Sequence, residues 1–214
     1  LNNFLKRLKK NGSKFSYRKI KNKSKKVYEA NITVFDALKK SDYDLKGKFF
    51  LERYISAHSI IISFEGIPAV YFNSLFGKSN DEAKYIITGN NRDVNRYKWN
   101  YKNISKKLDN KNSKQSIFFQ KISNLLNIRR KQKAFHPNAS RQNINLGSKI
   151  FSFKRISIDR KQTVICITNL SSITQKAHLD KVYYNWKNLI GSKIKVNNKL
   201  LILKPFETIW LSNR

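Results

Sequence analysis

Apolar residues in this chain follow two periods, and the change from one to the other divides the sequence. In "NNFLKRLKK" Phe4, Leu5 and Leu8 fall at helical spacing, which predicts a short amphipathic helix. The polar run that follows, "NGSKFSYRKIKNKSKK", reads as a loop. Residues 31–38, "NITVFDAL", predict a short helix with Asn31 or Thr33 as N-cap. Residues 48–63 predict a stronger helix, with Phe50, Tyr54, Ile61 and Ile62 on one face and His58 beside that stripe as a packed core histidine. Gly66 and Pro68 end it, and "AVYF" reads as a short buried strand. Residues 73–114 are polar and without clear period, the kind of long irregular segment that often carries function. Residues 115–135 predict a long helix, with Phe118, Ile122 and Leu125 spaced four and three apart.

From about Leu146 the period becomes two. "KIFSFKRI", "QTVICITNL", "AHLDKVYY", "KLLILK" and "ETIWLS" are the expected strands, with turns at Asp159-Arg160 and Asn197-Asn198. The chain therefore divides into a helical and mixed segment, 1–145, and a small antiparallel β domain, 146–214.

Charge adds a question. The 214 residues hold 45 Lys and Arg against 13 Asp and Glu, a net +32. Such a balance suggests nucleic acid or another polyanion as partner. The residue choice weakens that inference. Lys supplies 34 of the basic residues and Arg 11, beside 25 Asn and 24 Ile but only 8 Ala, 7 Gly and 3 Pro. That is the usage of A/T-rich codons. The charge is also spread over both halves, and the guanidinium forks suited to phosphate and base edges are the minority. Nucleic acid is accordingly not the expected partner. The single cysteine, Cys166, rules out a disulfide within the chain and suits a reducing cytoplasm. No apolar run approaches membrane-spanning length, and no second His or Cys stands at metal-ligand spacing, so neither membrane, metal nor cofactor is expected. Methionine is absent, position 1 included, so the chain is expected to begin inside a longer protein.

Five strings in order carry the most information: "VYEANITVFDAL" (27–38), "GIPAVYFNSLFG" (66–77), "TGNNRDVNR" (88–96), "RRKQKAFHPNA" (129–139) and "LKPFETIWLS" (203–212). Together they resemble the C-terminal half of the sucrose-phosphorylase-like enzymes of glycoside hydrolase family 13. The likeness is to the branch with sucrose 6-phosphate phosphorylase and glucosylglycerate phosphorylase. It implies an α/β plus β fold: the C-terminal portion of a (β/α)8 barrel, followed by a small antiparallel β domain. On that map residues 1–30 are the loop after strand seven, "AVYF" is strand eight and 115–135 is the last barrel helix.

Enzymes of this kind use a carboxylate nucleophile and a carboxylic acid on either side of the glycosidic oxygen. Phosphate then attacks the glucosyl-enzyme, giving glucose 1-phosphate. The resemblance places both groups on strands four and five and a further Asp on strand seven, outside these residues. No catalytic residue is therefore expected here, and the chain is expected to be inactive alone. What the resemblance does place here is the wall that holds sugar and phosphate. Arg92 matches an arginine that contacts the bound sugar, unless it serves only a loop ion pair, with Asp93 for instance. Tyr28 and Glu29 match a mobile acceptor loop in which some members carry Gln at the second position. Asn91 is a weaker match, and Asn80 and Asp81 read as turn residues. His136 is expected to pack at the domain junction. Two other readings remain: a basic module for nucleic acid or polyanions, and a degenerate remnant without activity.

Overall fold

The computed structural model describes residues 2–20, 25–191, 193–197 and 200–214. In chain order the helices are α1 (Asn2–Lys10), α2 (Val34–Lys39), α3 (Phe50–Ser63), α4 (Phe72–Leu75), α5 (Glu82–Thr88), α6 (Tyr101–Asp109) and α7 (Lys114–Arg130). The strands are β1 (Lys14–Lys19), β2 (Lys25–Asn31), β3 (Ser140–Ile144), β4 (Ile150–Ile156), β5 (Thr163–Asn169), β6 (Gln175–His178), β7 (Lys187–Asn188), β8 (Lys195–Asn197), β9 (Leu200–Leu203) and β10 (Thr208–Ser212). They fall into two compact units, one of residues 1–47 with 70–120, the other of 48–69 with 121–214.

In the first unit local chemistry sets the helix ends. Thr33 caps α2 by accepting from Asp36 N, and Asp81 caps α5 by accepting from Lys84 N. Gly89 ends α5 at φ 64, a left-handed turn that a glycine makes without strain. Gly77 is fixed by space as well. A Cβ there would lie 2.7 Å from the Phe118 ring, which packs edge-on against Phe35.

The segment expected as a loop before residue 31 is instead an antiparallel hairpin, β1 on β2. Dense lysine hides its alternation, in which Phe15 pairs with Ala30 and Tyr17 with Val27. Residues 21–24, also in that expected loop, lie outside the described residues. The strand expected at "AVYF" does not form. Tyr71 is extended and Phe72 opens α4. A buried strand needs neighbours on its edges, and no described strand stands beside this run. Ile67 is accordingly 84% exposed, Tyr71 54% and Phe72 55%.

The second unit contains a five-stranded sheet, β3-β4-β5-β10-β7, and a three-stranded sheet, β6-β9-β8. Inward positions of both meet in one core of Ile150, Ile165, Ile167, Ala177, Leu179, Leu201, Leu203, Ile209 and Leu211. The sheet begins at Ser140, before the change of period, because β3 is an exposed edge strand whose polar sequence shows no alternation. The run "AHLDKVYY" is strand only as far as His178 and then turns through Lys181–Tyr183. The turn expected at Asn197-Asn198 lies outside the described residues at Asn198.

Helix α3 buries Tyr54, His58 and Ile62 at successive turns, whereas Ile61, expected on the same face, is exposed. The His58 ring lies 4.5 Å from that of Tyr54, with its Nδ1 2.9 Å from Tyr54 O. Burial lowers its pKa, only partly countered by that hydrogen bond. His136 does not pack inward as expected. Its ring is exposed, with Nδ1 accepting from Asn138 N.

Cys166 sits in the middle of β5, paired with Trp210 of β10. Burial pushes its thiol up to about 12, against the pull of the Ser63 hydroxyl and two guanidinium groups. The thiolate is the reactive form, so the folded chain is expected to react with a thiol reagent at pH 8 at least a hundredfold more slowly than the urea-unfolded chain, on the order expected for a buried thiol. Comparable rates in the two states would show that β5 opens readily.

Candidate sugar- and anion-binding site

Arg92, Asn91, Glu29 and Tyr28 are brought together in the first unit by a hairpin and a 3-10 turn, Asn91–Asn95. The turn is held at several points. Asn90 caps it by accepting from Arg92 N, and Thr88 Oγ1 accepts from Asn90 N. Val94 is fully buried, and its carbonyl accepts from Asp81 N at 2.7 Å. Lys84 Nζ lies 3.0 Å from Asp93 Oδ1. Hydrogen bonds from Lys84 and Thr88 hold the Asp93 carboxyl below the usual carboxylate range.

Asn91 ties this turn to the hairpin. Its Nδ2 donates to Phe15 O at 3.1 Å and Ser16 Oγ at 3.3 Å. Asn31 Nδ2 reaches the same Ser16 hydroxyl, also at 3.3 Å. Ser16 in turn stands opposite Glu29 in the strand register. The Asn91 amide is therefore a latch that sets the next residue, Arg92, beside the hairpin. Arg92 Nε donates to Glu29 Oε2 at 3.2 Å, with the two side chains 48% and 30% exposed. The loop pair considered from sequence, Arg92 with Asp93, is not the one formed. Arg92 takes Glu29 and Asp93 takes Lys84.

Tyr28 owes its position to a β-bulge. The register runs Ser16 to Glu29 and then Tyr17 to Val27, leaving Tyr28 as the extra residue. A bulge breaks the strict alternation of faces and re-aims a side chain, and bulges recur beside functional sites. Here it leaves the Tyr28 ring 60% exposed next to Glu29. Asn80 and Asp81 are structural, as expected. Asn80 Oδ1 accepts from Thr33 N at 2.9 Å, and its Nδ2 donates to Gly12 O. Sequence reasoning missed Ser16, the hub between both asparagines, because a lone serine in a lysine-rich run carries no signal. Among the described residues no cluster of His, Cys, Asp or Glu could hold a metal ion. None of their helices is long and apolar enough to cross a membrane.

No protein-family model matches the sequence. Curated proteins do. The glucosylglycerate phosphorylase of Escherichia coli (strain K12) is 28% identical over 185 residues, covering 86% of this chain and 32% of that protein. The glucosylglycerate phosphorylase of Allomeiothermus silvanus is 32% identical over 184 residues, covering 86% and 31%. A sucrose phosphorylase of Agrobacterium vitis is 29% identical over 127 residues, covering 59% and 23%. The chain spans about a third of the length of the glucosylglycerate phosphorylases it matches. Among solved structures, the sucrose 6F-phosphate phosphorylase of Thermoanaerobacter thermosaccharolyticum superposes with a TM-score of 0.62 at 20% identity, over 79% of this chain and 31% of that one. The trehalose-6-phosphate hydrolase of Bacillus licheniformis gives a TM-score of 0.57 at 15% identity, over 80% and 40%. The chain thus corresponds to the C-terminal part of the sucrose-phosphorylase-like enzymes of glycoside hydrolase family 13, the end of a (β/α)8 barrel followed by an antiparallel β domain.

Proposed function

We propose that the chain supplies one wall of the sugar- and phosphate-binding site of a retaining glucosyl-transferring phosphorylase that acts on sucrose or a related glucoside. The observation that carries this reading is the exposed Arg92–Glu29 pair beside the bulged Tyr28, formed by residues 63 apart in sequence. In the proposed enzyme, residues 1–145 contribute the barrel segment from the loop after strand seven to the last helix, and 146–214 form the C-terminal β domain. The enzyme works in a reducing cytoplasm.

Each group has a distinct task in this reading. The nucleophilic carboxylate attacks the anomeric carbon while the carboxylic acid protonates the departing oxygen. Phosphate then attacks the anomeric carbon on the face the departing oxygen left, opposite the ester, which breaks the glucosyl ester and restores the carboxylate. Those two groups come from segments other than this chain. The Arg92 guanidinium orients a sugar hydroxyl near the nucleophile and offers a fixed positive charge to phosphate. Tyr28 lays its ring along the acceptor and lends its hydroxyl. Asn91 positions Arg92.

The purified chain is accordingly expected to turn over none of sucrose, sucrose 6-phosphate or glucosylglycerate in the presence of phosphate. Measurable glucose 1-phosphate from the chain alone would refute the proposal. The genomic DNA upstream tests the rest. An open frame encoding an Asp nucleophile, a Glu acid and a His-Asp pair is expected, whereas a stop codon or frameshift there would mark a remnant.

A further inference from the structure

We infer that Glu29 acts as a built-in anion at Arg92, which a phosphate or carboxylate ligand must displace, so that with the pair closed the position favours an uncharged polyol. The inference rests on the reading of Arg92 as a ligand-facing residue and names the chemical selectivity of that site.

Three observations carry it. The pair is made through one edge of the guanidinium only, Nε to Glu29 Oε2 at 3.2 Å. Among the described residues the terminal Nη1 and Nη2 carry no hydrogen bond. A planar fork of two N–H groups therefore remains open, with its charge already balanced. Such a fork suits vicinal hydroxyls. A doubly negative phosphate approaching it meets the Glu29 carboxylate at close range and is repelled.

Two neighbouring lysines are already taken by other carboxylates. Lys84 is engaged by Asp93 at 3.0 Å, and Lys14 by Glu82, also at 3.0 Å. Asp93 and Glu82 thus hold their own cations, and the carboxylate facing Arg92 is Glu29. The geometry also fixes where Glu29 stands. It pairs with Ser16 in the register, and Ser16 is bound by both Asn31 and Asn91. The irregular position is Tyr28, immediately before it, where the ladder is interrupted. A carboxylate anchored on one side and flanked by a bulge on the other can rotate off the guanidinium without unpairing the hairpin. Displacement therefore costs the pair itself rather than the fold, and exposed pairs are weak enough to be displaced.

Inorganic phosphate titrated into the chain at constant ionic strength tests this, followed by amide shifts in the NMR spectrum. Five chains are compared: unaltered, Glu29→Gln, Glu29→Ala, Arg92→Gln and the double variant Glu29→Gln with Arg92→Gln. Glu29→Gln is expected to bind phosphate roughly 2- to 5-fold more tightly, the range set by the strength of an exposed ion pair. The gain is expected to vanish in the Arg92→Gln background, which separates this fork from the general lysine surface. Glu29→Ala is expected to show the same gain, so the effect does not depend on the glutamine amide. Hairpin amide shifts that stay in place confirm the fold of each variant. The inference is overturned if Glu29→Gln brings no gain, undetectable binding by all five chains included. A gain of equal size with and without Arg92 overturns it too. No turnover is measured, so the outcome is independent of whether the completed enzyme is a phosphorylase.

Discussion

An Arg155→Met chain is expected to lose about 2–6 kcal/mol of stability in the unit that holds the β domain, from about 1–3 kcal/mol for each of two buried carbonyls left unpaired. Arg155 is fully buried. Its Nη1 donates to Ser63 O at 2.9 Å, and its Nη2 donates to His136 O at 2.8 Å and Ala139 O at 3.1 Å. Arg129 works beside it, donating through Nη1 to Ile62 O and Phe64 O and through Nη2 to Gly66 O at 2.7 Å. Between them the two guanidinium groups bind the carbonyls of Ile62, Ser63, Phe64 and Gly66, at and just past the end of α3, and Arg155 adds those of His136 and Ala139. Carbonyls at a helix end lack intrahelical donors, and the helix dipole favours positive charge there.

No carboxylate hydrogen-bonds either arginine among the described residues. Burial lowers the pKa of both, and each repels or is opposed by a nearby arginine. The charges are held by peptide dipoles instead. Methionine keeps much of the stem volume but donates nothing, so the buried carbonyls of Ser63 and Ala139 lose their partner, while His136 O keeps the Ala139 N–H. Urea unfolding followed by tryptophan fluorescence measures the effect, since Trp210 packs 4.9 Å from Phe135 in the same unit. A loss below about 1 kcal/mol would mean that water replaces the guanidinium, and the clamp would then be unimportant.

In an enzyme completed by the segments that carry the two carboxylates, Arg92→Lys is expected to lower kcat/KM by about 10²–10³, the cost of losing one preorganised donor to the reacting sugar. Lysine keeps the charge but not the planar fork, so it cannot bind Glu29 through one edge and a ligand through the other. The same substitution is expected to change stability by less than about 1 kcal/mol, because the pair it breaks is exposed. The contrast between the two readouts is the test. A loss of activity that merely follows a loss of stability would assign Arg92 to the loop's structure. Unchanged kcat/KM in a stable variant would remove it from the site.

How far the sequence could be read depended on whether the signal was local. The α2 cap at Thr33 follows from a single polar side chain next to a helix start, whereas α5 and α6 lie in residues 73–114, expected to be irregular because their polar sequence shows no clear period. The α3 stripe and strands β4, β5, β9 and β10 follow from short-range period, because their buried faces are filled by aliphatic and aromatic residues. The hairpin β1–β2 was not legible. Lysine occupies so many of its positions that alternation is visible only once Ser16 is seen opposite Glu29. The run "AVYF" shows the opposite failure. Its composition is that of a buried strand, yet strand formation depends on neighbours, and none is described beside it.

The candidate site divides in the same way. The motifs "VYEANITVFDAL" and "TGNNRDVNR" single out Tyr28, Glu29, Asn91 and Arg92 from sequence, together with the kind of enzyme they resemble. Sequence could not say which acid Arg92 would meet. Asp93 is its neighbour in the chain, but the 3-10 turn directs Asp93 to Lys84. The bulge at Tyr28 and the Asn91 latch bring Glu29 to the guanidinium from 63 residues away. By itself, then, the sequence determined α1, α2, α3 and α7, most strands of the β domain and the residue types available for binding, because these depend on neighbours along the chain. The tertiary structure alone decided the pairing of charges at the site, because an ion pair depends on distance in space, which hairpin register and a side-chain latch set here.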